Sequence, residues 1–364
     1  MAVYVTGASF VCAQGENEAA FPPNGSIKPP AVQVSQMLGQ TTEWPYFKAF
    51  GQDLLTLPDL FALLEKHMLQ TASAAGWEEE ELGCVPILIG STAYVVSDQE
   101  SRFGSGQDVY AYPPNEISEH LRRRWNNPHV YSFATSCTSS AQAIGYGCKM
   151  IENGFADKAL VIGFEMFNRF TFEHFQAMQL LSSGAHSLPL ADPQGIILGE
   201  GLACVALSAQ PGGNRHYAIS GISSLTDHES LTNSSDDALR RLIAGILKQA
   251  GVDAAQIQTV KVHATGGIGD EAEEAVLREM LPHSYRLILK PYTGHPLGAA
   301  GALETALMLR FIQNGRFPAL PDAADYTDLP TAHGQPVSDG LCLHYFLGFG
   351  GSNIGWVSEW CEAV

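Results

Sequence analysis

Four short stretches of the chain carry residue types that do chemistry, and each lies where an apolar run breaks. In "SFATSCTSSAQAIGYG", 132–147, Cys137 stands among Ser and Thr residues, between an extended apolar run and a helix-like run. Ala141, Ile144, Cys148 and Ile151 follow at roughly helical spacing, which predicts a helix with Cys137 at its start. Unpaired N–H groups at a helix start favour a thiolate and lower a thiol's pKa. The same residue also fits as a small buried core cysteine, the common state of a free thiol.

The second stretch, "KVHATGGIGDEAEEA", 261–275, puts His263 at the end of an apolar strand and the start of a Gly-rich loop. A histidine there is either a general acid or base, or a hydrogen-bonded structural residue. Asp270, Glu271, Glu273 and Glu274 read as the charged first turns of a helix. In "KPYTGHPLGAAGALE", 290–304, His295 follows a strand and a tight turn, and small residues after it permit close backbone packing. Lys290 ends that strand and Glu304 lies on the following helix; both face solvent, or they pair and orient the histidines. The fourth stretch, "FLGFGGSNIG", 346–355, surrounds Phe349 with glycines. It is a plain turn, a gate, or a backbone N–H aimed at an oxyanion. Together the four lie at strand ends, where α/β folds place their sites.

The elements that must position these residues alternate. Apolar, β-branched runs at 2–7, 86–90, 159–165, 202–208, 218–224, 259–264, 286–290 and 342–350 predict buried strands. Helical periodicity covers 53–76, with Pro58 marking a boundary, and 115–125, with Asn115 as N-cap. It also covers 236–251 and 298–315, each closing on glycine. The pattern predicts a layered α/β fold. "SAQPGGNRH", 208–216, is the linker candidate and splits the chain near its middle.

The 364 residues carry a formal net charge of −18, which argues against general nucleic-acid binding and against an anionic membrane surface. One dense basic run, Arg122, Arg123 and Arg124, is a solvated helix face or a dock for an acidic partner. Seven cysteines without a CxxC pair suggest neither a disulfide framework nor a zinc site, and point to a reducing cytoplasm. The start, "MAVYVTGASFVCAQ", reads as a strand and turn rather than a signal peptide, and no apolar run is long enough to span a bilayer.

Taken in order, "TSCTSS", "LRRLIAGILKQAGVDAAQIQTVKVHATGG", "KPYTGHPLGAAGALE" and "GFGGSN" resemble the motifs of the β-ketoacyl-acyl-carrier-protein synthases, and the opening "MAVYVTGASFVCAQGEN" is similar to that family's first strand and turn. The resemblance implies the thiolase fold: two similar α/β halves, here 1–209 and 210–364, in five αβαβα layers. It implies decarboxylative Claisen condensation in fatty acid or polyketide synthesis. Cys137 would be the acylated nucleophile. His263 and His295 would bind the malonyl thioester, and Lys290 and Glu304 would hold their charge and orientation. The N–H groups of Cys137 and Phe349 would form the oxyanion hole, and Thr265 would grip the pantetheine arm. Gly267 stands where the family carries a second threonine. No metal or cofactor is implied beyond the phosphopantetheine of an acyl carrier protein. That carrier would be one partner, docking on Arg122–Arg124; a second ketosynthase in a homodimer or heterodimer would be another. The chain also looks similar to the chain-length-factor-like ketosynthases of aryl polyene pathways, so the alternative is a weakly catalytic or non-catalytic subunit shaping an acyl tunnel.

Overall fold

The structure, a computed structural model, describes residues 2–21, 26–37, 39–107, 109, 115–184, 187–212, 215–229, 232, 234–320, 323–326 and 328–362. The first half runs β1 (Val3–Cys12), β2 (Gly15–Glu16), β3 (Ala31–Met37), β4 (Gln40–Tyr46), α1 (Leu57–Ala74), β5 (Ile87–Gly90), α2 (Val96–Gly104) and α3 (Glu116–Trp125). It continues through β6 (Val130–Phe133), α4 (Ser139–Glu152), β7 (Lys158–Glu165), α5 (Arg169–Ala177) and β8 (Gly201–Ser208). The second half runs β9 (Arg215–Thr226), α6 (Asp236–Ala250), β10 (Ile257–Lys261), α7 (Asp270–Met280), β11 (Tyr285–Leu287), α8 (Lys290–Thr293), α9 (Ala300–Asn314), β12 (Gly340–Leu347) and β13 (Ser352–Glu362). Of the proposed linker, residues 213–214 lie outside the described residues.

Each half uses its strands in the same spatial order. The first reads β1-β8-β7-β5-β6 and the second β9-β13-β12-β10-β11. In each, the last three strands are parallel and the first two antiparallel to their neighbours. Pairing of Val3 and Tyr4 with Ile219 and Ala218 joins the halves into one sheet. Helices α4 and α9 fill the space between the halves; α1 covers β1 and β8 on one outer side, and α6 covers β9 and β13 on the other. These are the five layers of the thiolase fold.

Small residues set the central layer. A Cβ added to Gly301 of α9 would lie 2.1 Å from the Ala141 backbone nitrogen of α4, so only glycine lets the two helices cross there. The ends of the predicted helices follow local chemistry. Thr56 and Asp59 form a capping box on α1, with proline in its first turn. Gly251 and Gly315 end α6 and α9 in the left-handed conformation. Asn115 precedes α3 but makes no side-chain cap bond.

Candidate active site

Cys137 follows β6 across a tight turn. Ser136 takes a positive φ of 57°, which costs a non-glycine residue about 1 kcal/mol. The surrounding hydroxyls hold that turn. Ser139 Oγ accepts from the Thr135 N–H at 3.0 Å and donates to the Ser136 carbonyl at 2.6 Å, and Thr138 Oγ1 donates to the Thr135 carbonyl at 2.7 Å. The thiol is buried, and burial pushes its pKa up to about 11. The Ser136 hydroxyl, the Phe349 N–H and the Lys290 charge pull it down, but by less. Desolvation thus opposes the helix-start effect argued from the sequence.

His263 sits beyond the end of β10, and α7 holds its loop. Glu273 accepts from the His263 N–H at 2.9 Å, from the Ala264 N–H, and from the Tyr345 hydroxyl at 2.5 Å. Asp270 accepts from the N–H groups of Thr265 and Gly266 at 3.1 and 3.0 Å. These bonds fix a loop in which Ala264 has a φ of 23°. The acidic run is thus more than the solvated start of a helix. Asp270, Glu273 and Glu274 are buried and only Glu271 is exposed, because the inward carboxylates satisfy backbone donors and Arg286. Burial raises Asp270 to about 6 and Glu273 to about 7.

His295 is clamped by the segment before β8. Its N–H donates to the Ile197 carbonyl at 2.8 Å, and its carbonyl accepts from the Gly199 N–H at 3.1 Å. Lys290 does not end a strand, as the sequence suggested. Strand β11 stops at Leu287, and Lys290 opens the one-turn helix α8. Its ammonium pairs with Glu304 Oε1. The other oxygen, Oε2, takes a second lysine, Lys261 Nζ, at 2.7 Å. Lys261 went unnoticed in the sequence, although a lysine inside the apolar run "TVKVHA" signals a buried charge that must find a partner.

Cys137, His263, His295, Thr265, Gly267 and Phe349 line one cavity of about 70 Å³. The two imidazole rings meet edge to face, with centroids 5.4 Å apart. Burial, reinforced by the Lys290 and Lys261 charges, holds both rings well below the usual histidine range, so both are neutral at pH 7. A neutral imidazole donates one hydrogen bond and accepts another. A thiol, two such rings and the Phe349 N–H facing the sulfur form a set suited to acyl transfer through a polarised carbonyl.

The Phe-rich stretch 164–178 walls the thiol. Phe167, Phe172 and Phe175 share an apolar cluster with Cys137, Tyr46, Ile196 and Leu198. Phe175 stacks on Phe349 with ring centroids 5.5 Å apart. The turn after Phe349 needs its glycines: Gly351 has a φ of 79°, and a Cβ there would lie 1.8 Å from the Asp227 carbonyl oxygen. A further buried acid, Glu165, also escaped the sequence. It accepts from the N–H groups of Thr92, Ala93 and Gly298 at 2.9–3.1 Å and is raised to about 7 by burial.

Arg122, Arg123 and Arg124 lie on α3 and do not line the cavity. Nor do they form an open basic patch. Arg122 pairs with Glu119, Arg123 with Glu116 at 3.7 Å, and Arg124 with Glu65 at 2.9 Å and Glu79 at 3.5 Å. Among the described residues, no group of three or more His, Cys, Asp or Glu is arranged to hold a metal ion, and no helix is long and apolar enough to cross a membrane.

Comparison with known proteins follows this geometry. Residues 88–211 match the family model "Beta-ketoacyl synthase, N-terminal domain", and residues 217–323 match "Beta-ketoacyl synthase, C-terminal domain". A putative mitochondrial 3-oxoacyl-[acyl-carrier-protein] synthase of Schizosaccharomyces pombe is 28% identical over 254 residues, 61% of this chain and 59% of that protein. A 3-oxoacyl-[acyl-carrier-protein] synthase 2 of Rhizobium meliloti is 28% identical over 261 residues, 65% of this chain and 62% of that protein. The chain thus spans about three fifths of these relatives' lengths. Among solved structures, a ketosynthase (ApeO) in complex with its chain length factor (ApeC) from Xenorhabdus doucetiae superposes with a TM-score of 0.81 at 22% identity, over 100% of this chain and 98% of the other.

Proposed function

Because the chain belongs to the β-ketoacyl synthase family, we propose that it is a condensing enzyme acting on acyl and malonyl thioesters of a carrier protein. The observation that carries this reading is the shared cavity of Cys137, His263, His295 and Phe349. Cys137 Sγ attacks the acyl thioester carbonyl. The carrier's thiol leaves with the proton that Cys137 gives up, and the acyl chain stays on sulfur. The N–H groups of Cys137 and Phe349 receive the oxyanion. A malonyl thioester then enters, with Thr265 beside its pantetheine arm. His263 and His295, as neutral donors, hold its carbonyl oxygen. Loss of carbon dioxide leaves the bonding electrons as an enolate, whose carbon attacks the Cys137 thioester. The new carbon–carbon bond forms, and sulfur leaves and recovers a proton. The Lys290–Glu304 pair backs both rings. Among the described residues six cysteines are free thiols, which fits a reducing cytoplasm.

Intact mass after incubation with an acyl-loaded carrier protein tests this. Wild type gains one acyl mass and Cys137→Ala gains none. An unmodified wild type, under conditions where a standard synthase loads, overturns the reading. Gly267, in place of the family's second threonine, supports a second reading, a chain-length-factor-type subunit that completes a heterodimer. In that case Cys137→Ala, co-expressed with an active ketosynthase, leaves product amount and chain length unchanged.

A further inference from the structure

Glu304 faces two ammonium groups, and one carboxylate balances only one. Lys261 Nζ lies 2.7 Å from Glu304 Oε2 and 2.9 Å from the Tyr345 carbonyl, while Lys290 takes Oε1. The Lys261 and Glu304 side chains have no exposed surface, and Lys290 has 3%. A buried charge is costly unless paired, and a lone Lys290–Glu304 pair would already be neutral. Within this trio the chain keeps one surplus cation. Lys261 lies 3.4 Å from the centre of the Phe346 ring, whose face helps to hold it.

We propose that Lys261 is a positioning residue whose surplus charge, held through Glu304 beside Lys290, adds to the positive field behind His263 and His295 and favours the negative charge that forms on a bound thioester oxygen. The second half of this rests on the condensing reading above; the first does not. Lys261 is two residues from His263 on the same segment. Burial depresses both imidazoles most, and the Lys290 charge and then the Lys261 charge add to it. The other titratable groups facing Lys261 are Glu273 from α7, and His344 and Cys342 from β12. His344 is neutral, Cys342 is raised to about 12, and Glu273 is raised to about 7 and bonded to backbone donors. Glu304 is thus the only partner that gives Lys261 a direct ion pair among the described residues. A purely structural lysine would tie β10 to β12 through the Tyr345 carbonyl and leave the imidazoles unaffected.

The test is Lys261→Gln in the full chain, with Lys261→Arg as the charge-keeping control. NMR titration of the His263 and His295 ring signals is read beside the pH profile of malonyl-carrier decarboxylation. With the surplus charge gone, both imidazoles titrate higher than in wild type, and the acid limb of decarboxylation moves up with them. The kcat at pH 7.5 falls about tenfold or more with little change in KM. Lys261→Arg keeps both pH values near those of wild type. Unmoved imidazoles with only a lower melting temperature overturn the proposal. Shifted imidazoles in a protein that never decarboxylates uphold the charge assignment and overturn the condensing reading. If Lys261→Gln does not fold, wild-type behaviour decides. Burial lowers Lys261 to about 8, so malonyl-carrier decarboxylation by the wild-type chain must fall above pH 8. A level profile to pH 9.5 overturns the proposal.

Discussion

A thiol raised to about 11 is a poor nucleophile until something takes its proton, since about one molecule in ten thousand is thiolate at pH 7. Exposed Cys84 gives an internal reference. Iodoacetamide labelling followed by peptide mass mapping should modify Cys84 first, and Cys137 should speed up about tenfold per pH unit up to pH 10. Labelling of Cys137 as fast as Cys84 at pH 7 would show a preformed thiolate and contradict the burial argument. At this scale the reactive atoms were legible, because Cys, His and Gly at strand ends leave a trace in one dimension. Their supports were not. Asp270 and Glu273 read as the charged first turns of a helix until the partners that bury them are known. Three donors to Glu165 come from residues 92, 93 and 298, and no local pattern links those positions.

Secondary structure was legible where burial is continuous. The strands buried on both faces, such as β7 and β8, announce themselves as apolar runs. Hairpin β3–β4 stands outside the main sheet, with Val32 and Val34 exposed and polar residues between them, so it carries no such signal. Strand β13 is central yet was passed over, because Asn353 and Ser358 interrupt its apolar face. Ser234 donates to Asn353 and His344 bonds to Ser358, which makes their burial tolerable. The crossing of α4 and α9 supplies a test at this level. Gly301→Ala forces a methyl into the 2.1 Å gap to Ala141 N, and urea denaturation should show a loss of about 2–3 kcal/mol. An unchanged midpoint would mean the helices have room to separate.

Over the whole molecule, buried ionisable groups set the response to pH. His67 is lowered to about 4 and His333 to about 3, and His263, His295 and His344 lie well below their ordinary value, all through burial first. The unfolded chain protonates these rings near 6.5, the folded chain far lower, so they withdraw stability as pH falls below 6.5. Glu165, Glu200 and Glu273, raised to about 7, and Asp270, raised to about 6, act in the opposite sense. The folded chain protonates them first, which adds stability as pH falls from 7 towards 4.5. The two sets oppose each other, so scanning calorimetry should give a nearly level melting temperature from pH 7 to 5. Below 4.5 the carboxyls of the unfolded chain also bind protons while Glu304 resists, held low by its two lysines against the effect of burial. The melting temperature should then drop steeply. A steady decline from pH 7 would show that the histidines dominate.

The repeated strand order extends to the connections: each half enters its inner helix through a short 3-10 turn, Ser136–Thr138 after β6 in one and Leu297–Ala299 after β11 and α8 in the other. Cys137 and Gly298 are therefore counterparts. One counterpart holds the sulfur and the other holds no side chain at all. The asymmetry is locked in, because any β-carbon at 298 would lie 2.5 Å from the Thr92 nitrogen. A symmetric, two-thiol chamber made by the single change Gly298→Cys is sterically barred; the backbone of the opposite half would have to retreat first.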